Sequence, residues 1–199
     1  MPSAPPIIRP LTDAQDRRAA LPALARLRLS VFRDWPYLYE GTEAYEARYL
    51  EEYMAEPGSV LVTAQVDGVI VGAATASPLS GQKADFQAPF LASGLDIGRL
   101  FYFGESVLLP AFRGLGIGHG FFDAREEAAR QAGASHACFC AVIREADHPL
   151  RPENARDLHP FWQARGYAPL EGAVTTFAWK DVDQAEETAH PMQFWMRAL

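Results

Sequence analysis

Residues 108–120 read LLPAFRGLGIGHG, and this stretch decides the fold. An apolar run from Leu100 predicts a strand that ends at Pro110, and a helical pattern follows the glycines from Phe121 onward. A helix start offers unpaired backbone N–H groups and the positive end of the helix dipole, while glycines let an anion come close to the backbone. The stretch therefore predicts an anion-binding loop at the start of a helix.

Better-known glycine and serine motifs fail on spacing. A P-loop would end in Gly-Lys-Ser/Thr, but His119 followed by a glycine stands at that place. A dinucleotide-binding G-x-G-x-x-G motif would need a glycine at position 119, 121 or 123, and none of these positions holds one. A serine hydrolase elbow around Ser106 would need a glycine where Leu108 stands. The spacing thus disfavours a P-loop NTPase, a Rossmann enzyme and a serine hydrolase.

The stretch 108–118 resembles the coenzyme A loop of the GNAT N-acetyltransferase superfamily, which reads Gln/Arg-x-x-Gly-x-Gly/Ala after a strand and a proline. A second motif of that family, an aromatic pair followed by a short spacer and Gly-Phe, corresponds to FWQARGY at residues 161–167. The predicted hairpin at Asp67-Gly68 and the order of elements from Ile7 to Arg197 extend the resemblance over nearly the whole chain.

The resemblance and the element pattern predict an α/β (mixed α+β) fold. We expect a GNAT-like, mixed and mostly antiparallel central sheet of six to seven strands, flanked by about four helices, in one domain over residues 6–199. Asp67-Gly68 favours a type I′ turn between two β-branched runs. Pro22 predicts a first helix that breaks near Leu21 and resumes, and residues 78–98 are expected to form a long connection.

The resemblance implies that acetyl-CoA or coenzyme A binds as cosubstrate, with direct acyl transfer to an amine. It places the pantetheine arm between two central strands that splay apart. The implied coenzyme residues are Val107, Leu108 and Leu109 on the strand, and Arg113, Gly114, Leu115, Gly116, Ile117, Gly118 and His119 in the loop and helix start.

Proton transfer is the second chemical requirement, since an alkyl ammonium has a pKa near 10.4 and must lose a proton before attack. Glu105 is our candidate base because it is an acidic residue in an otherwise apolar central strand; the alternative is a salt-bridged structural carboxylate. Many family members carry a tyrosine, thought to protonate the leaving thiolate, where this sequence has Trp162. An indole N–H is no acid near neutral pH, so Tyr167, His159 or water remain as alternatives.

The amine acceptor is expected to bind at the loop between the first two helices, where the resemblance places the acceptor side. The candidate residues are Phe32, Trp35, Tyr37, Tyr39 and Glu40. Aromatic faces and a carboxylate suit a cation, and a net charge of −7 is compatible with one. For Phe32 and Trp35, packing between the helices is an equally weighted alternative.

Composition narrows the partners further. An acidic chain without a Lys/Arg cluster disfavours nucleic acid, and neither an apolar run of about eighteen residues nor a leader-like pattern in residues 1–6 points to a membrane or export. Cys138 and Cys140 share one face of a predicted strand, too far apart for a disulfide, which favours a cytoplasmic protein with reduced thiols. No metal-ligand spacing occurs. A catalytically weak acyl-CoA sensor, a different acyl chain and a homodimer stay open.

Overall fold

A computed structural model describes residues 4–199, whose strands form a single seven-stranded sheet. Residues 1–3, part of the stretch on which the expectation of no leader rests, lie outside the described residues. The strands are β1 (Ile7–Leu11), β2 (Val60–Val66), β3 (Val69–Pro78), β4 (Leu100–Leu108), β5 (His136–Val142), β6 (Ala168–Lys180) and β7 (Glu187–Ala198). Their spatial order is β1-β2-β3-β4-β5-β7-β6, and every neighbouring pair is antiparallel except β4 with β5.

The α-helices of residues 4–199 number five and cover both faces of the sheet. They are α1 (Ala14–Val31), α2 (Glu43–Ala55), α3 (Ala84–Ala92), α4 (Ile117–Gln131) and α5 (His159–Ala164). On one face Leu24 and Leu50 pack with Val107, and on the other Phe121 packs with Ala74. The predicted fold class is confirmed, with one helix more than the expected four.

The additional helix is α3, which lies inside the stretch that we expected to be a long connection. Pro89 lies inside this helix, so the sequence pattern did not predict it. In the structure Phe90 is fully buried and Phe86 packs against Tyr102 with ring centroids 5.2 Å apart. The predicted break near Leu21 is also wrong, since α1 runs through Pro22 without interruption. In both helices, burial of apolar side chains outweighs the hydrogen bond that a proline removes.

The predicted hairpin turn is confirmed by its backbone. Asp67 and Gly68 have φ angles of +51° and +79°, the left-handed pair that a type I′ turn requires. Among residues 4–199, no helix is both long enough and apolar enough to cross a membrane.

The sheet opens between β4 and β5. The two strands pair only where Leu100–Tyr102 lies beside His136–Cys138, although β4 continues to Leu108 and β5 to Val142. Beyond Tyr102 the strands diverge, and β4 keeps its partner on the β3 side alone. We call the space between the diverging strands the gap.

Candidate active site

The glycine loop follows β4 directly and leads into α4 beside the open end of the gap. Gly114 and Gly116 have φ angles of +82° and +80°, and Gly116 is the N-cap of α4. A Cβ atom at either position would meet no atom within 4 Å. The left-handed backbone therefore requires glycine here, and the space in front of the loop is free for a ligand.

The loop also supplies hydrogen-bond donors. Within residues 4–199, the first N–H group of α4 with a backbone acceptor is that of Gly120, which donates to the Gly116 carbonyl at 3.2 Å. The N–H groups of residues 114–119 have no such acceptor in that part of the chain. Unpaired N–H groups beside the positive end of the α4 dipole are the arrangement that an anion-binding loop requires.

The side chains predicted around the loop differ in their surroundings. Ile117 is buried, while Arg113 and Leu115 are exposed. The His119 ring lies edge-on to Phe161, with its Nδ1 3.3 Å from an Arg165 nitrogen. The anchor of this region is Ile117, and the exposed side chains are free to reach a ligand.

Three residues at and just beyond the end of β4 were predicted to contact the coenzyme, and their backbones face different ways. The Leu109 N–H donates to the Val71 carbonyl on β3 at 3.0 Å. Because backbone groups alternate in direction along a strand, the Leu108 N–H points away from β3, towards the gap. Val107 is fully buried against α1 and α2. Of the three, Leu108 therefore offers the gap a backbone donor.

A β-bulge determines where Glu105 points. Gly104 and Glu105 together oppose Thr75 on β3, since the register shifts between Ala74 and Ala76. The Glu105 N–H donates to Thr75 Oγ1 at 3.2 Å, and a Cβ on Gly104 would lie only 2.7 Å from that oxygen. Phe103 packs with Phe122 on the α4 face, where Leu108 also lies. Because of the bulge, Glu105, two residues after Phe103, lies on the face covered by α1.

On that face Glu105 belongs to a buried charged cluster with Arg28 and Glu46. Arg28 forms ion pairs with Glu105 Oε2 through Nη1 and with Glu46 Oε2 through Nε. The side chains of Arg28, Glu46 and Glu105 are 10%, 0% and 5% exposed. The Tyr39 hydroxyl donates to Glu46 Oε1 at 2.9 Å, and the Tyr49 ring lies 4.4 Å from the Arg28 guanidinium carbon. Three elements, α1, α2 and β4, thus meet in one ionic contact.

On the opposite face Arg125 of α4 holds the bulge. Its Nη1 donates to the carbonyls of Thr75 and Glu105 at 3.3 and 3.1 Å, and its Nη2 donates to Ser106 Oγ at 2.9 Å. Arg125 is 1% exposed, and burial lowers its pKa to about 10, so it stays protonated at neutral pH. The backbone of Glu105 is therefore held from one side of the sheet and its carboxylate from the other.

The predicted acceptor loop crosses the same face as the cluster. Phe32 and Tyr37 have ring centroids 4.7 Å apart, and Trp35 lies 5.4 Å from the His148 ring. Tyr39 bonds Glu46, as above. Glu40 pairs with Lys180 at 3.0 Å and Arg33 at 3.5 Å, and the hydrogen bond from Lys180 is the main cause that lowers its pKa. Phe32 also packs against the apolar cluster that joins α1 and α2.

A second buried cluster fixes this loop to the far side of the gap. Arg144, just after β5, donates to the carbonyls of Pro36 and Tyr37 at 2.8 and 2.6 Å and to both carboxylate oxygens of Asp181. His190 lies 3.3 Å from Asp181. The connection after β5 thus contacts the acceptor loop through Arg144.

Comparison with protein families agrees with this geometry. The sequence model described as "Acetyltransferase (GNAT) family" matches residues 24–152, more than half of the chain. The chain belongs to the GNAT acetyltransferase family. By family it is therefore an acyltransferase. No curated protein sequence matches the chain significantly.

Solved structures share the fold of this GNAT protein. Ribosomal-protein-alanine N-acetyltransferase from Brucella melitensis has a TM-score of 0.61 at 16% identity, covering 97% of this chain and 99% of that chain. An aminoglycoside 6'-N-acetyltransferase complexed with coenzyme A has a TM-score of 0.58 at 16% identity, covering 96% of each chain. A Salmonella typhimurium protein proposed to be an acetyltransferase, solved with acetyl-CoA, has a TM-score of 0.57 at 14% identity, covering 98% and 95%. At these identities the similarity concerns the fold.

The groups considered as proton donors to the thiolate are mostly engaged in packing. In this GNAT protein Trp162 packs against Phe139 and Trp195, with ring centroids 5.0 and 5.2 Å away. The Tyr167 hydroxyl is buried and donates to Glu126 at 3.1 Å, and burial raises its pKa. His159 is exposed and pairs with Asp157 at 3.3 Å. None of these contacts assigns a general acid.

The cysteines are free and buried. The Cys140 thiol lies 3.1 Å from the Tyr102 hydroxyl, and burial raises its pKa to about 12. It stays a thiol at neutral pH, which agrees with a packing role. Within residues 4–199, no group of three or more His, Cys, Asp or Glu side chains could hold a metal ion.

Sequence reasoning missed Arg28, Glu46 and Arg125, although a signal was available. Arg28 stands four residues after Leu24 and Glu46 four before Leu50, so both occupy the apolar face of their helices. Arg125 has the same spacing from Phe121. A charged residue at a position that the helix period assigns to the core must find buried partners.

Proposed function

We propose that this protein is an acetyl-CoA-dependent N-acetyltransferase that moves an acetyl group directly to a primary amine of a small molecule or peptide. The observation that carries the proposal is the left-handed glycine loop with free N–H groups at the open end of the gap between β4 and β5. Two proteins of similar fold were solved with coenzyme A or acetyl-CoA, which supports the choice of cosubstrate.

The coenzyme would be held mainly by backbone. We assign its diphosphate to the N–H groups of residues 114–119 and the Arg113 side chain, and its pantetheine arm to the gap beside residues 107–109, with Leu108 as the donor facing that arm. The glycines at 114 and 116 leave room for this approach. Acetyl-CoA supplies a thioester carbonyl that an amine can attack without a covalent enzyme intermediate.

We assign to Glu105 the role of the base. Its Oε1 is buried and has no hydrogen-bond partner among the described residues, while Oε2 contacts Arg28. The acceptor nitrogen forms the amide bond as the carbon–sulfur bond breaks. An ammonium acceptor first gives one proton to Glu105, directly or through one water, and its second proton leaves as the amide forms and passes through water to the thiolate.

The acceptor is proposed to be a cation that binds below the aromatic loop of Phe32, Trp35, Tyr37, Tyr39 and Glu40. Glu40 already has Lys180 and Arg33 as partners, so the unsatisfied negative charge lies deeper, at Glu105. Since the Debye length falls from about 10 Å at 0.1 M salt to about 3 Å at 1 M, the acceptor KM should rise with ionic strength. A neutral or anionic acceptor that outperforms every cation would contradict this assignment.

A second candidate function is an acyl-CoA sensor or partner-binding module with weak turnover. The observation in its favour is the packing of Trp162 where the family carries a tyrosine. For either function we propose one domain over residues 6–199, a cytoplasmic location suited to free thiols, and no requirement for metal, nucleic acid or membrane.

Coenzyme binding and turnover test the two functions in sequence. Millimolar acetyl-CoA or coenzyme A should raise the Tm, because a ligand that binds only the folded state stabilises it. Released thiol is then titrated with acetyl-CoA and a panel of polyamines, amino acids, aminoglycosides and peptides. Thiol release that depends on an amine supports the enzyme, whereas a Tm shift without turnover supports the sensor. No Tm shift at all would contradict both.

A further inference from the structure

The charged cluster of Arg28, Glu46 and Glu105 is incomplete in one respect. It contains two carboxylates and one guanidinium, so it carries a net charge of −1, and all three side chains are at least nine-tenths buried. Glu46 has both oxygens engaged, Oε1 by the Tyr39 hydroxyl and Oε2 by Arg28. Glu105 has only Oε2 engaged. The cluster therefore lacks one positive charge and one hydrogen-bond donor.

A buried carboxylate oxygen without a partner is costly, because it has lost water and gained nothing in return. An alkylammonium group would supply both missing elements at once, a positive charge and N–H donors. Arg28 cannot turn to supply them. It is already bonded to two carboxylates, and its guanidinium carbon lies 4.4 and 5.1 Å from the centres of the Tyr49 and Phe32 rings. The deficit is thus built into the fold.

We propose that Arg28 is a positioning residue that holds Glu105 by Oε2 and leaves Oε1 to receive the N–H of a primary ammonium acceptor. Glu46, fixed by Tyr39, orients Arg28 in turn. The inference rests on the proposed acetyltransferase function and adds the way in which the acceptor nitrogen is recognised. It also makes the aromatic loop part of the arrangement, because Tyr39 belongs to that loop and reaches the cluster.

Arg28 acts through Glu105, so the two residues should not be independent. In a double-mutant cycle, Arg28→Met should lower kcat/KM for an amine by roughly 10- to 100-fold in the native background. In a Glu105→Gln background the same change should lower it by less than about threefold, because the group that Arg28 positions is already gone. The Tm shift caused by coenzyme A should persist in all four proteins, since the glycine loop is untouched.

A matched control comes from the same helix. Arg17 of α1 bonds Ser59 Oγ and Met54 Sδ and so joins α1 to the region of α2 and β2, away from Glu105. Arg17→Met should lower the Tm but leave kcat/KM within about threefold. If Arg28→Met does not fold, Arg28→Lys replaces it in the cycle, because lysine keeps the positive charge but cannot bond both carboxylates as the guanidinium does. The activity loss of Arg28→Lys should likewise disappear in the Glu105→Gln background.

The outcomes are distinguishable. If the native protein acetylates an amine, and the fold-losses of Arg28→Met and Glu105→Gln multiply in the double variant, the two residues act independently. That result would overturn the positioning role and leave the proposed function standing. An Arg28→Met variant with native kcat/KM would do the same. A native protein that binds coenzyme A but acetylates no amine would overturn the proposed function, and the positioning role with it.

Discussion

The glycine loop and the charged cluster around Glu105 lie at the two ends of the same stretch of β4 but are built differently. The loop consists of consecutive residues that present unpaired backbone N–H groups, with φ angles near +80° at Gly114 and Gly116. The cluster consists of side chains from α1, α2 and β4, held by Arg125 of α4 from behind. Coenzyme binding should thus tolerate changes of the exposed loop side chains but not substitutions that strain the left-handed glycines. The cluster should instead be sensitive to changes of its side chains.

The largest effect should come from the cluster. Glu105→Gln keeps the shape of the side chain but removes the proposed base, and we expect kcat/KM to fall roughly 10²- to 10⁴-fold. The loss should shrink as rising pH increases the fraction of free amine. Initial rates from about pH 6 to about pH 10, a range that approaches the amine pKa near 10.4 from below, measure this.

The same variant separates the two regions, because its coenzyme-induced Tm shift should equal that of the native protein. If Glu105 is only structural, the Tm itself should fall and the activity loss should not depend on pH. A stable variant with near-normal turnover at neutral pH would exclude the catalytic role.

The next largest effect concerns stability and the residue that holds the bulge, Arg125. Arg125→Met removes the donors to the carbonyls of Thr75 and Glu105, and leaving such groups unpaired should cost about 2–4 kcal/mol of unfolding free energy. Denaturant titration measures the loss. Arg130, on the same helix, is partly exposed and pairs with Glu126 and Glu127, so Arg130→Met should cost less than about 1 kcal/mol. Equal losses in the two variants would mean that Arg125 does not hold the bulge.

A substitution that the left-handed backbone cannot accept should impair the glycine loop and leave the charged cluster intact. Gly116→Val puts a branched side chain at φ +80° in front of the proposed diphosphate site, and coenzyme affinity should fall tenfold or more, that is by about 1.4 kcal/mol or more. Gly133, beyond the other end of α4, has φ +77° and equally open space at its Cβ position.

Gly133→Val is therefore a control for strain. Both variants should lose stability, but only Gly116→Val should lose the Tm shift with coenzyme A. A normal shift in Gly116→Val, or its loss in Gly133→Val, would separate the loop from coenzyme binding.

The smallest effect is a pH dependence on the acceptor side. Burial lowers the pKa of His190, against the attraction of Asp181 and with a contribution from Arg144. The unfolded chain, with a His pKa near 6.5, then binds a proton before the folded chain does, so stability should fall as pH decreases below about 6.5.

His190→Gln should flatten the dependence of Tm on pH in that window. Because His190 lies beside the acceptor loop, the coenzyme-induced shift should not change over the same range. An unchanged slope in His190→Gln would assign the acid loss to other groups.

The fold and the loop were predictable because their signals are local. Helix and strand periods, the Asp67-Gly68 turn and the glycine spacing each lie within about a dozen residues of sequence. Where local signals conflict with tertiary packing, the prediction was wrong, as for α3 with Pro89 and α1 with Pro22. Packing decides such cases, and no window of sequence contains it.

The cluster was predictable only in outline. Glu105 could be chosen as an acidic residue in an apolar strand, and the salt-bridged alternative could be stated, but its partner could not be named. Arg28 and Glu46 are 77 and 59 positions away from it. The bulge at Gly104, which decides the face to which Glu105 points, depends on the opposing Thr75 and was therefore also out of reach.

The junction at Arg144 has a consequence for the order of folding. Its contact with the Tyr37 carbonyl spans 107 residues, and the hydrogen bond from Trp179 to the same carbonyl spans 142. Contacts this distant in sequence pay a larger loop-closure entropy than the turns and helix starts around the glycine loop. We expect the acceptor loop to dock late, after β4 and α4 are in place. Pulsed hydrogen exchange during refolding should then protect the amides of α4 before that of Glu40, which donates to the distant Lys180 carbonyl, whereas simultaneous protection would show that both sides of the gap assemble in one step.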